Sequence, residues 1–227
     1  MKILLMTAHP DDADIMAGGT IAHWTEEGHD VHSVIFTRGD KGHDDPTMTA
    51  DIVAALREAE QRAAAAILGV THVTFLDFID GELEWAGQTM SEIATRIVRR
   101  EQPDIVVTHD PYAGAPGYRV PQLHPDHRAV GSAVVDACYF RAPGPLYYPD
   151  HGRVGLRPHR VREVFLIMSD HADHASISVR SSSARSAQYA CTKASSAGIP
   201  ISRDSCEAWR LVRARPLACK SRSRSSD

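Results

Sequence analysis

The sequence lacks any long apolar run. The stretch from Met1 to Met6 is far too short for a signal peptide, and no later segment approaches the roughly 18 apolar residues of a membrane span. A basic excess is missing too: 25 Lys and Arg stand against 29 Asp and Glu, a formal net charge of -4. That balance leaves no electrostatic footprint for nucleic acid and points toward small-molecule chemistry. Cysteine is scarce, with Cys138 in the patterned part of the chain and Cys191, Cys206 and Cys219 near its end. None is spaced as a thiolate metal pair, and no disulfide framework is expected. The dinucleotide fingerprint Gly-x-Gly-x-x-Gly is absent, because Gly18-Gly19 does not have its spacing, which disfavours a nicotinamide cofactor. A cytoplasmic protein with no membrane span and no nucleic-acid partner is the expectation.

What the sequence does contain is alternation. Strand-like apolar runs at Lys2 to Thr7, Val31 to Thr37, His72 to Leu76, Asp104 to Thr108 and Val161 to Met168 are separated by helical patterns. The helices fall at Ala17 to Glu27, Thr49 to Leu68, Thr89 to Glu101 and Pro125 to Cys138. Near-continuously apolar strands joined by helices of this length predict an α/β fold, Rossmann-like, with a mostly parallel sheet flanked by helices on both faces. Ligands of such sheets bind outside the carboxyl ends of the strands. The polar clusters His9 to Asp14, Arg38 to Asp45, Asp77 to Glu82 and His109 to His127 all follow strands, and should share one rim.

Two of these clusters carry the chemistry: His9-Pro10-Asp11-Asp12 and His124-Pro125-Asp126-His127. His9 and Asp12 at i and i+3 on the turn leaving a strand can face one point. Pro125 suits the first position of a helix, which sets His124 and His127 about one turn apart. Two imidazoles and a carboxylate with an open position are the donor set of catalytic zinc. His9, Asp12 and His127 are therefore the expected ligands, with Asp11, His124 and Asp126 left for proton transfer. His43-Asp44-Asp45 and His171-Ala172-Asp173-His174 have ligand-like composition, but the first is a Gly- and Pro-flanked loop and the second lies where periodicity fails.

At these residues the chain resembles the LmbE/PIG-L family of zinc-dependent N-deacetylases, whose marks are an Ala-His-Pro-Asp-Asp motif after the first strand and a later His-Pro-Asp-His motif. Ala8 to Asp12 and His124 to His127 match them, and Gly18-Gly19-Thr20, Thr37-Arg38-Gly39-Asp40, Arg57-Glu58, Leu68-Gly69 and Asp80-Gly81 are similar to the family as well. The resemblance implies a hydrolase that removes an N-acyl, chiefly N-acetyl, group from an amino sugar or glycoconjugate. It implies one Zn2+ per chain, with Fe2+ as an occupant in vivo, on His9, Asp12 and His127. Asp11 would be the general base and His124, oriented by Asp126 and kept protonated, would stabilise the oxyanion. Arg57 and Asp80 match sugar-contacting positions; otherwise Arg57 would be a helix-surface ion pair with Glu58 or Glu60, and Asp80 a turn residue. Family members are often homo-oligomers. The rival readings are an inactive relative that only binds, and a non-haem Fe(II) oxygenase, whose facial triad has the same donors.

The resemblance covers residues 1 to 170, the expected deacetylase domain. From 171 to 227 Ser and Arg dominate, and the family's usual closing strand and His-x-Ser-Gln-like helix are not found. This segment is expected to be disordered, with a last short helix around Ser205 to Arg213, or to result from a reading-frame change in a GC-rich gene. Resequencing the 3′ end of the gene decides the second alternative: a continuous frame overturns it.

Overall fold

The computed structural model describes residues 1–113 and 124–169, and the backbone of residues 174–176 and 209–214. Five strands pair in parallel in the order β3-β2-β1-β4-β5: β1 (Lys2–Thr7), β2 (Asp30–Thr37), β3 (His72–Phe78), β4 (Ile105–His109) and β5 (Glu163–Ile167). Along β1 the side chains alternate between two cores. Leu4, Met6 and Ala8 pack with Met90, Ala94, Ile97 and Val98 of α3 (Gly87–Glu101) and with Val130, Ala133 and Val134 of α4 (Pro125–Asp136). Ile3 and Leu5 pack on the other face with Ala13, Ala17 and Ile21 of α1 (Asp12–Glu26) and Ala64 and Ala65 of α2 (Ala50–Ile67). A strand buried on both faces must be apolar at consecutive positions, which is why β1 reads as an unbroken run.

From β1 the chain winds outward to β2 and β3, then returns to place β4 on the other side of β1. The β1/β4 boundary is the topological switch point, where a crevice opens at the carboxyl ends of the strands. His9 follows β1 there, and His109 ends β4.

Two elements depart from expectation. Helix α1 starts at Asp12 rather than Ala17, because its first turn carries Asp12 and Asp14, which suit the positive end of the helix dipole although they break the apolar period. Instead of a helix near Ser205 to Arg213, the backbone of β7 (Trp209–Ala214) pairs antiparallel with β5, and β6 (His174–Ser176) pairs antiparallel with β7. The open edge of β5 offers backbone partners that an isolated short helix does not have. The rest of the expected 171–227 segment, with His171, Asp173 and the Ser/Arg-rich string, lies outside the described residues. Among the described residues no helix is long and apolar enough to cross a membrane.

One glycine fixes how the two halves of the crevice meet. A Cβ on Gly131 of α4 would lie 2.6 Å from the carbonyl oxygen of His109, so the helix rests on the end of β4 only because that position is bare. Gly131→Ala should cost about 1–3 kcal/mol through this overpacking. Gly18→Ala in α1, with nothing within 4 Å of the added carbon, should lower the melting temperature little or not at all. Thermal melts of the two variants compare them directly.

Candidate functional site

The turn after β1 is held in an uncommon conformation. Asp11 has φ 85°, a left-handed geometry that few residues other than glycine adopt. Two side chains of α2 hold it: Gln61 Oε1 accepts the Asp11 N–H at 2.6 Å, and Arg57 donates to Asp11 Oδ2 at 3.1 Å. Gln61 also donates to Asp14 Oδ2 at 2.6 Å. Arg57 further binds the carbonyls of Pro10 (2.9 Å) and Gly39 (3.1 Å), and a Cβ on Gly39 or Gly42 would collide with its guanidinium. Arg57 is thus a largely buried member of the site, not a surface partner of Glu58 or Glu60.

The turn delivers His9 and Asp12 to the switch point, and the first turn of α4 delivers His127. His9 Nδ1 lies 3.1 Å from His127 Nε2, His127 Nε2 lies 3.1 Å from Asp12 Oδ1, and Asp12 Oδ2 lies 3.7 Å from His9 Nδ1. A tetrahedral ion with bonds of about 2.0–2.1 Å would separate its donors by about 3.3 Å. These three residues therefore converge as a candidate metal site, as expected from their spacing. His9, His124 and Asp126 form a second grouping. The carboxylate of that set is already engaged: Asp126 accepts from the N–H groups of Gly81 (2.7 Å) and Leu83 (3.1 Å).

Behind the triad stand more carboxylates. Asp126 Oδ2 and Asp80 Oδ1 each lie 3.1 Å from His9 Nε2, and Asp80 Oδ2 accepts the Lys41 N–H at 3.1 Å. Burial works against charge on His9, but its bonds to Asp126 and Asp80 and the negative charge of Asp12 outweigh it and push its pKa up to about 10. A nest that holds a proton so firmly favours a cation at that point; a metal ion has to displace that proton, which ties its affinity to pH. Burial alone would raise Asp12, yet contacts with His109 and His127 hold it well below the usual carboxylate range. Asp11 moves the other way, up to about 7, through burial and the adjacent Asp12 charge, against the pull of Arg57 and His9. A carboxyl group poised there can accept a proton and return it near neutral pH.

His124 differs from expectation. It caps α4 with Nδ1 accepting the Asp126 N–H at 3.2 Å, while the Asp126 carboxylate faces His9. Partial burial and the positive charge of His9 lower the His124 pKa. Both the accepting Nδ1 and the lowered proton affinity favour a neutral ring over the protonated one expected, and its link to Asp126 runs through the backbone.

Two site residues escaped the sequence reading. Gln61 sits one helical turn from Arg57, and a buried Gln on the apolar face of α2 was the available signal. His109, fully buried at the end of β4, lies 3.1 Å from Asp12 Oδ2 and stacks on His127. A histidine closing the apolar run Ile105-Val106-Val107-Thr108 marked it, without indicating what it touches.

Fold and cleft together define an α/β protein with a two-histidine, one-carboxylate centre at its switch point. The chain belongs to the PIG-L family, described as GlcNAc-PI de-N-acetylase, whose model matches residues 4–138. It is 36% identical over 163 residues to the diacetylchitobiose deacetylase of Thermococcus kodakarensis, covering 72% of this chain and 58% of that protein. The chain thus spans somewhat over half the length of that curated relative. Among solved structures, N,N'-diacetylchitobiose deacetylase from Pyrococcus horikoshii superposes with a TM-score of 0.78 at 24% identity, covering 94% of this chain and 83% of that one. The 4-carboxy-2-hydroxymuconate hydratase of Pseudomonas putida KT2440 superposes at 0.70 with 22% identity, covering 95% and 96%. Such identities show a shared fold alone, and this fold carries a hydration as well, so the reaction has to be argued from the site.

The carboxylate of Asp126 gives a stability test. Burial would raise its pKa, but His9 and the N–H groups of Gly81 and Leu83 hold it below the ordinary value. A depressed carboxylate stabilises the fold above its unfolded-state pKa, and that contribution fades as pH falls through the folded-state value. In a metal chelator, Asp126→Asn should therefore be less stable than the native chain at pH 7, by about 2 kcal/mol. The gap should close on acidification below pH 4, as melts across that range would register.

Proposed function

We propose that the chain is a zinc-dependent amidase that removes an N-acetyl group from an amino sugar or amino-sugar conjugate. The observation that carries this reading is the convergence of His9, Asp12 and His127, with His127 Nε2 3.1 Å from both His9 Nδ1 and Asp12 Oδ1, beside a carboxyl group, Asp11, whose proton affinity is raised to about 7. Membership in a family described by de-N-acetylation, and a relative named for diacetylchitobiose, support an amino-sugar substrate.

His9, Asp12 and His127 would hold the ion, with His9 Nε2–H anchored on Asp126 and Asp80 so that Nδ1 is free to bind. The chemistry that zinc would supply there is a more acidic water, its pKa lowered from about 15.7 toward roughly 7, and Lewis-acid polarisation of the amide carbonyl. Asp11 takes the proton of the attacking water, held for that task by Arg57 and Gln61. The His124 Nε2–H donates to the oxygen that gains negative charge, a contribution commonly worth about 3 kcal/mol in the barrier. Asp11 then returns its proton to the nitrogen as the C–N bond breaks, because an amine leaves poorly unless protonated. Arg57 and Asp80 bring the sugar to the cleft in addition to holding Asp11 and His9. Substrate choice falls to the rim segments Lys41 to Met48, Asp80 to Thr89 and Tyr112 to Leu123, the last mostly outside the described residues.

Fe2+ suits the same donors, so metal content alone does not identify the reaction. The parallel sheet speaks against a facial-triad oxygenase, which is typically built on a β jelly roll. A purely binding role leaves no use for a tuned carboxyl at Asp11.

Acetate release from N-acetylglucosamine and di-N-acetylchitobiose, with and without added zinc, tests the proposal. His9→Ala should lose stoichiometric metal, whereas Asp11→Asn should keep it and lose about 10²- to 10⁴-fold in kcat. Metal-loaded native protein that releases no acetate would sink the deacetylase; full zinc in the His9 variant would sink the ligand assignment.

A further inference from the structure

His109 has no part in the proton transfers, yet it is the most enclosed imidazole of the site. Its Nε2 lies 3.1 Å from Asp12 Oδ2, and the Ala8 N–H is directed at the same nitrogen from 3.1 Å. A neutral ring nitrogen can donate to the first or accept from the second, but not both at once. A hydrogen bond to an ionised carboxylate is the stronger of the two, so the proton belongs on Nε2 and points at Asp12. Its Nδ1 is buried with no hydrogen-bond partner among the described residues, so nothing there holds a competing proton.

The consequence falls on the two oxygens of Asp12. Oδ2 already accepts the His9 N–H at 2.8 Å, and with His109 it has a second donor. Oδ1 is left to face His127 Nε2 at 3.1 Å. The same His109 ring lies parallel to that of His127, with 6° between their planes and 4.1 Å between their centroids. One buried side chain thus restrains a carboxylate through a proton and an imidazole through its face.

We propose that His109 is a positioning residue of the metal centre: it occupies Oδ2 so that Asp12 binds through one oxygen, and it sets the plane of the second histidine ligand. It rests on the metal reading given above. Without His109, only the His9 backbone N–H would hold Oδ2 back from a bound ion.

Two variants separate the two restraints. His109→Phe keeps a ring against His127 but has no donor, and His109→Gln keeps a donor near the place of Nε2 but has no ring. Zinc affinity is measured by competition with a chromogenic chelator, and coordination by the visible spectrum of the Co2+-loaded protein. His109→Phe should weaken zinc binding by about 10- to 100-fold, the usual effect of losing a ligand's supporting partner, and alter the Co2+ spectrum. His109→Gln should recover most of the affinity. Native affinity and spectrum in His109→Phe, or equal losses in both variants, would overturn the donor role.

Nitrogen-15 NMR of the native histidines, metal-free and zinc-loaded, reads the tautomer without any substitution and decides the matter if His109→Phe does not fold. A proton on His109 Nε2 is expected in both states; a proton on Nδ1 overturns the proposal. Failure of the metal reading looks different: the native chain would not retain zinc, while the metal-free tautomer would still report the bond to Asp12.

Discussion

Everything at this site depends on keeping one buried carboxylate ionised. Asp12 is almost fully withdrawn from solvent, where an isolated anion would instead take up a proton. It stays charged because the backbone N–H of His9 donates to it and the rings of His109 and His127 lie 3.1 Å from its two oxygens. Those partners come from three places: the turn after β1, the end of β4 and the start of α4. The parallel sheet brings the first two side by side, and bare Gly131 lets the third approach. The core that orders the sheet is therefore also what makes the anion tolerable.

The neighbouring aspartate shows the same physics with the opposite result. Asp11 is adjacent in sequence, but its left-handed backbone turns it toward α2, where Arg57 only partly offsets burial and the charge of Asp12. One of the pair is fixed as an anion and the other is balanced near neutrality, and a single turn of chain assigns the two roles. Asp126 and Asp80 form the outer layer, each binding His9 and a loop backbone. The loops of the rim are thereby tied to the same imidazole.

Much of this was legible in the sequence because the signals are local. Unbroken apolar strands announced the parallel sheet, and the four-residue segments His9 to Asp12 and His124 to His127 each gather several of the site's side chains. The rest depends on contacts that no local pattern encodes. Gln61 and Arg57 meet Asp11 across 50 and 46 residues, and His109 meets Ala8 across 101. Each taken singly is an ordinary helix or strand-end residue. The orientation of the Asp126 carboxylate was misjudged for the same reason: its neighbour in sequence is His124, but its partner in space is His9. The start of α1 was missed because polar residues fill its first turn.

The division of the donors between the two ends of the domain bears on the order of events during synthesis. His9 and His127 are 118 residues apart, and nothing near His9 can replace the ring that comes later. A ribosome-bound chain carrying only β1 through β3 holds two of the three donors and no closed site. A cation held by all three would be captured only after β4 has docked beside β1 and α4 has followed, so a filled site would mark a chain whose central sheet is already assembled.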